Sequence, residues 1–179
     1  MNKQQLAGKI WESANKMRSK IEANEYKDYI LGFIYYKFLS EKEVKYLKEN
    51  DWTDEYLDQL SEEDSETVES IQKNIGYLIS YENLFSTWIT NGSDFTVQNV
   101  RDALSAFSRN INKTHKQVFD GVFDTLQTGL SKLGDSAASQ SKAIRDLVHF
   151  IKDIPMDGKQ DYDVLGCDVS DIMECVREK

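Results

Sequence analysis

Between Tyr29 and Leu39 the chain reads YILGFIYYKFL, with only Gly32 and Lys37 among its apolar and aromatic residues. A helix that is apolar nearly all round must be covered on several sides, so this segment calls for a central helix with others packed about it. Tyr26 precedes the run, and Val44 and Leu47 carry it onward at helical spacing. Asn24 offers an N-cap, and Glu25 fits the first turn. The density of aromatics is that of a helical core with tyrosine hydroxyls reaching its edge, rather than of a ligand pocket.

The flanking segments repeat the helical period. Leu6, Ile10, Ala14, Met17 and Ile21 lie on one face, widened by Trp11. Ser80 is placed to cap a short helix through Tyr81, Leu84, Phe85, Trp88 and Ile89, which Asn91-Gly92 ends. Thr96 is placed to cap the next, with the stripe Val97, Val100, Leu104, Phe107 and Ile111. Phe119, Val122, Phe123 and Leu126 make a shorter segment. Gly129, Gly134 and the polar run Asp135 to Ser141 read as a loop. A helix follows through Ala143, Ile144, Leu147, Val148 and Ile151, stopped by Pro155. Strict alternation is scarce, and there is neither an internal repeat nor a low-complexity linker. The expected fold is all-α, a compact multi-helix bundle in a single domain, and 179 residues suffice for a core without disulfides or metal.

Several chemistries are excluded early. Pro155 is the sole proline, so no motif with two prolines occurs. No two of the nine glycines are separated by a single residue, so there is no G-x-G turn for a dinucleotide or an adenosyl cofactor. Gly129 and Gly134 have P-loop spacing, but Asp135 stands where the motif needs its lysine, before Ser136. Cys167, Cys175, His115 and His149 form no zinc-ligand spacing, and the cysteines read as reduced structural residues. No run approaches the ~18 apolar residues of a membrane span, and the N-terminus has no signal core, so the expected location is cytoplasmic.

Charge is unevenly distributed. The net charge is −9, and residues 51–75 hold nine acids (Asp51, Asp54, Glu55, Asp58, Glu62, Glu63, Asp64, Glu66 and Glu69) against Lys73. Such a stretch is a solvated surface, or a face that repels nucleic acid or docks on a basic partner.

Against this background a family resemblance stands out. Residues 6–42, LAGKIWESANKMRSKIEANEYKDYILGFIYYKFLSEK, resemble the opening of the modification (methylase) subunit of type I restriction-modification systems. Leu6, Ala7, Ile10, Trp11, Ala14 and Arg18 match its first run, with Met17 where leucine is usual. Glu25, Tyr26, Lys27, Ile30, Leu31, Ile34, Lys37, Leu39 and Ser40 match the second. GYLISYENLFSTWI at 76–89 is similar to a later family segment, with Tyr81 in place of a proline. DALSAF at 102–107, VFDGVFDTLQTGLSKLG at 118–134 and DYDVLG at 161–166 follow in family order. After Gly166 the resemblance stops. The tail CDVSDIMECVREK places Val169, Ile172, Met173 and Val176 on one helical face and suggests a frameshifted or truncated gene.

The resemblance implies that residues 1–166 are the N-terminal helical domain of an N6-adenine DNA methyltransferase subunit, with 167–179 a divergent tail. It implies a specificity subunit and a second methylase subunit as partners, and DNA contact only within that assembly. It places S-adenosylmethionine and catalysis in a following domain, whose glycine loop and N-P-P-(F/Y) motif cannot occur here. This chain is therefore expected to hold no cofactor and to methylate nothing alone.

A domain this acidic meets phosphate only locally. The candidate stretch is 101–116, with Arg101, Arg109, Lys113, His115 and Lys116 against Asp102, and with Asn110, Asn112 and Thr114 as further donors. Lys9, Lys16 and Lys20 on the first helix, and Asp58, Glu62, Glu63 and Glu66 in the acidic segment, are candidate partner surfaces. The competing reading is a stand-alone acidic helical regulator, a DNA mimic whose carboxylates occupy a DNA-binding channel of a restriction-modification complex.

Overall fold

The computed structural model describes residues 23–154, together with Gln5, Gly8 and Glu12. The first helical face, Lys9, Lys16, Lys20, Pro155, both cysteines and the tail after Gly166 lie outside the described residues.

Among the described residues there are eight α-helices and no strand: α1 (Ala23–Glu49), α2 (Asp54–Leu57), α3 (Ser65–Ile75), α4 (Phe85–Asn91), α5 (Val97–Arg109), α6 (Lys116–Phe119), α7 (Asp124–Gly129) and α8 (Ala137–Ile151). Short 3-10 turns stand at Tyr81–Asn83, Gly92–Asp94, Lys113–His115 and Leu130–Leu133. The all-α expectation holds. Helix α1 is the central member and packs on α4, α7 and α8. Its residues Tyr29, Ile30, Leu31, Phe33, Ile34, Tyr36 and Leu39 are all buried. Asn24 lies within α1 rather than before it.

The core is built of stacked rings. Trp88 lies between Tyr36 (centroids 4.7 Å apart) and Phe95 (5.0 Å). Phe107 makes edge contacts with Phe119 and Phe123. A satellite cluster of Leu47, Leu57, Leu60, Val68, Ile71 and Leu78 sits beneath the acidic segment.

Buried polar groups on α1 fix what crosses it. Residues 77–80 are buried outside any helix between α3 and the Tyr81 turn, so their backbone groups need partners other than a helix ladder. Glu43 Oε1 accepts the Ile79 N–H at 2.8 Å, and Ser40 Oγ accepts the Phe85 N–H at 2.9 Å. The Tyr36 hydroxyl donates to Asn83 O and the Tyr77 hydroxyl to Leu39 O. Tyr36, Ser40 and Glu43 stand four and three residues apart, one face of a helix. Lys37, one position round, donates to the carbonyls of Lys152 and Ile154 beyond the end of α8.

The later helices differ from expectation in three places. Ser80 makes no side-chain cap, and the segment from Tyr81 divides at the extended Leu84 into a 3-10 turn and α4. The segment from Phe119 to Leu126 breaks at Gly121, whose positive φ of 72° turns the chain, and this leaves Val122 exposed. The polar run after Asp135 is loop only as far as Ser136. Ser136 Oγ caps α8 by accepting the Ser139 N–H, so residues 137–141 are helical. A serine-rich stretch reads as loop by composition, and the cap is what converts it.

Candidate nucleic-acid and partner interface

Helix α5 carries the basic stretch. Val97, Val100, Leu104 and Phe107 hold its apolar face in the core, and the Asn99 side chain accepts the Thr96 N–H at 2.8 Å at its start. Arg101 is half-buried in the first half of the helix, while Arg109 is exposed in its last turn. Their separation is about 12 Å of helix rise. Lys113 and Lys116 follow on the surface, in the 3-10 turn and at the start of α6. The structure therefore brings Arg109, Lys113 and Lys116 to one end of α5 and leaves Arg101 apart.

His115 does not stand free beside them. Its ring is half-buried and close enough to Gly76 that a Cβ there would lie 2.8 Å from it. It stacks toward Phe119 at 6.5 Å, and its Nδ1 is 3.0 Å from Thr114 Oγ1. Gly76 ends α3 in the left-handed region (φ 95°), which glycine adopts without strain. The polar neighbours are also engaged. Asn110 is buried and donates to Ala106 O, Asn112 Oδ1 accepts from Thr114 N and Oγ1, and Asn110 O accepts from Gln72. By residue type alone these side chains read as free phosphate donors. Local hydrogen bonds, which composition does not reveal, engage them in the turn.

The nine acids of residues 51–75 are all exposed, but they do different things. Asp64 caps α3 by accepting from Thr67 N and Oγ1, and these hydrogen bonds hold its carboxyl below the usual range. Asp54 pairs with Lys48 at 3.2 Å. Glu62 pairs with Arg109 through both its oxygens, at 3.1 and 3.3 Å. That pair joins the basic and acidic candidate surfaces, a proximity across 47 residues with no sequence signal. Asp58, Glu63 and Glu66 stay on the surface as expected of solvated carboxylates.

Nothing among the described residues is shaped for S-adenosylmethionine. There is no strand from which a glycine loop could turn into a helix, and the Gly129–Gly134 stretch is a packed turn with Leu130 and Leu133 buried. The described residues do not fit the cofactor. No group of three His, Cys, Asp or Glu side chains among the described residues is placed to hold a metal. No described helix is long and apolar enough to cross a membrane.

Comparison with known proteins agrees with this geometry. The family model described as the HsdM N-terminal domain matches residues 6–151. The chain is 24% identical, over 163 residues, to the type I restriction enzyme MpnII methylase subunit of Mycoplasma pneumoniae, covering 83% of this chain and 30% of that protein. Its fold is similar to the crystal structure of the type I restriction-modification system methyltransferase subunit from Streptococcus thermophilus, with a TM-score of 0.77, 22% identity, and coverage of 99% of this chain and 38% of that one. The chain thus spans about a third of the length of these relatives. With a family model covering most of its length and the helical architecture in agreement, this chain belongs to the HsdM N-terminal domain family of type I restriction-modification methylase subunits.

Proposed function

We propose that this chain is the non-catalytic assembly domain of a type I DNA methyltransferase subunit. It joins the specificity subunit and a second methylase subunit, and it helps close the complex around DNA. The observation that carries the reading is the family match over residues 6–151. S-adenosylmethionine binding and adenine-N6 transfer belong to the remainder of such a subunit, and the working location is the cytoplasm.

The charge distribution fits a domain that meets DNA only inside an assembly. With a net charge of −9, the free chain repels phosphate at long range. Arg109, Lys113 and Lys116 give one local cluster that a partner can hold against the backbone. Each phosphate that a protein neutralises adds about 0.9 to the steepness of the salt dependence of binding. Replacing all three by glutamate in the assembled complex is therefore expected to weaken DNA binding and flatten that dependence by about two to three. An unchanged affinity and salt slope would remove this surface from the DNA path.

A second reading keeps one specific observation, the nine exposed carboxylates of residues 51–75. As an acidic mimic, the chain would inhibit a DNA-binding enzyme, with relief by salt. Neutralising Asp58, Glu62, Glu63 and Glu66 would abolish that inhibition, and inhibition that survives would dismiss the mimic.

A further inference from the structure

The turn after α1 leaves two aromatic rings at the surface. The Asp51 φ of 65° swings the chain back, and Trp52 N–H returns to Leu47 O at 3.0 Å. Trp52 is half-buried against the satellite cluster, while Tyr56 on α2 is 61% exposed. The two rings meet edge to face with centroids 6.3 Å apart. Beside Trp52 lies an open groove of 340 Å³ between the end of α1 and α3, lined by Tyr46, Asn50, Trp52, Glu66, Thr67 and Ser70. Tyr56 is one of three large apolar side chains standing exposed among the described residues, and the satellite core beneath it would be complete without its ring.

The chemistry around the rings selects what can cover them. Glu55 precedes Tyr56, Glu66 lines the groove, and Glu69 follows Glu66 by three residues on α3. All three carboxylates are exposed, and none takes part in the ion pairs that engage Asp54 and Glu62. Carboxylates repel nucleic-acid phosphate, so the occupant is protein. Aromatic faces attract cations, and a planar guanidinium both stacks on a ring and forks to a carboxylate, which an ammonium cannot do. Tyrosine and tryptophan are also the side chains that most often anchor protein interfaces.

We propose that this face docks an arginine-bearing segment of a protein partner, the guanidinium stacking on the exposed Tyr56 ring beside Trp52, with Glu66 in the adjoining groove receiving its N–H groups. The proposal deepens the assembly reading and rests on it only for the partner being another subunit. The rings seat the arginine, and the carboxylates set its sign.

The test uses the full chain and two short peptides of equal charge, one alternating arginine with alanine and the other lysine with alanine. Calorimetry is expected to show the arginine peptide binding about two- to fivefold more tightly, since an ammonium over the ring lacks the stacking and the forked hydrogen bonds of a guanidinium. Tyr56→Ala is expected to erase that preference and Tyr56→Phe to retain it. The ring is exposed enough that neither variant should disturb folding, which circular dichroism checks. Equal binding of the two peptides, or a preference that survives Tyr56→Ala, would overturn the proposal. So would concentration-dependent self-association abolished by Tyr56→Ala, which would make a second copy the occupant. Peptide binding and co-migration with restriction subunits are separate readouts, so failure of this surface is distinguishable from failure of the assembly reading.

Discussion

Glu43 is fully buried, with one carboxylate oxygen bonded to Ile79 N–H and the other, Oε2, without a hydrogen-bond partner. Burial pushes its pKa well above the ordinary 4.5, and the Ile79 N–H opposes this only in part. Tyr36 and Tyr77 are held well above their usual 10.0, first by burial and then by Glu43, so both stay neutral through the carboxylate range. The native carboxyl therefore keeps its proton to higher pH than the unfolded one. Its contribution is fully present below the unfolded pKa and is lost as pH rises through the folded pKa. Glu43→Gln has no such loss, so the variant should gain on the parent in urea denaturation as pH rises above the ordinary carboxyl range. A stability difference independent of pH would contradict this. At Gly129 a Cβ would lie 2.1 Å from Tyr29 Cε1, whose hydroxyl donates to Gly129 O. Gly129→Ala should cost about 1–3 kcal/mol, readable as a lower denaturation midpoint.

Element by element, α1 sets the fold through two kinds of residue, and the sequence displays them unequally. The apolar run from Tyr29 to Leu39 announces a covered central helix, and the stripe of α5 announces its own buried face. Both read clearly because periodicity depends on a residue's neighbours along the chain. The polar row of Tyr36, Ser40 and Glu43 does not read, because its partners lie 36 to 47 residues away. Lys37 illustrates the same limit. In sequence it interrupts the apolar run; in the fold it is buried and holds the carbonyls just past α8. Burial lowers its pKa, with Glu41 and Asp153 acting the other way. Lys37→Met should leave those carbonyls unpaired and cost about 1–3 kcal/mol. Faster amide exchange at the end of α8 would accompany that loss, and unaltered protection there would contradict the role given to Lys37.

Over the whole molecule, the organising fact is where charge sits relative to the core. The acids of residues 51–75 cover the satellite cluster, and the Arg109–Glu62 pair ties that cover to the end of α5. The clustering of acids was legible from composition. Their division into cap, ion pairs and open surface was not, since each depends on a partner placed by folding. The candidate basic stretch was legible only as a run of cations, which the fold sorts into Arg109, Lys113 and Lys116 together, Arg101 apart and His115 packed against Gly76. The glycine and proline arithmetic leaves this chain without a G-x-G turn or an N-P-P-(F/Y) motif, and the family match covers residues 6–151. The most direct measurement is co-migration of the full chain with the specificity and methylase subunits of a type I system on size exclusion, with and without DNA. The assembly account predicts a stable complex that holds DNA, while the chain alone holds none at moderate salt. A chain that elutes by itself in the presence of every subunit would contradict it.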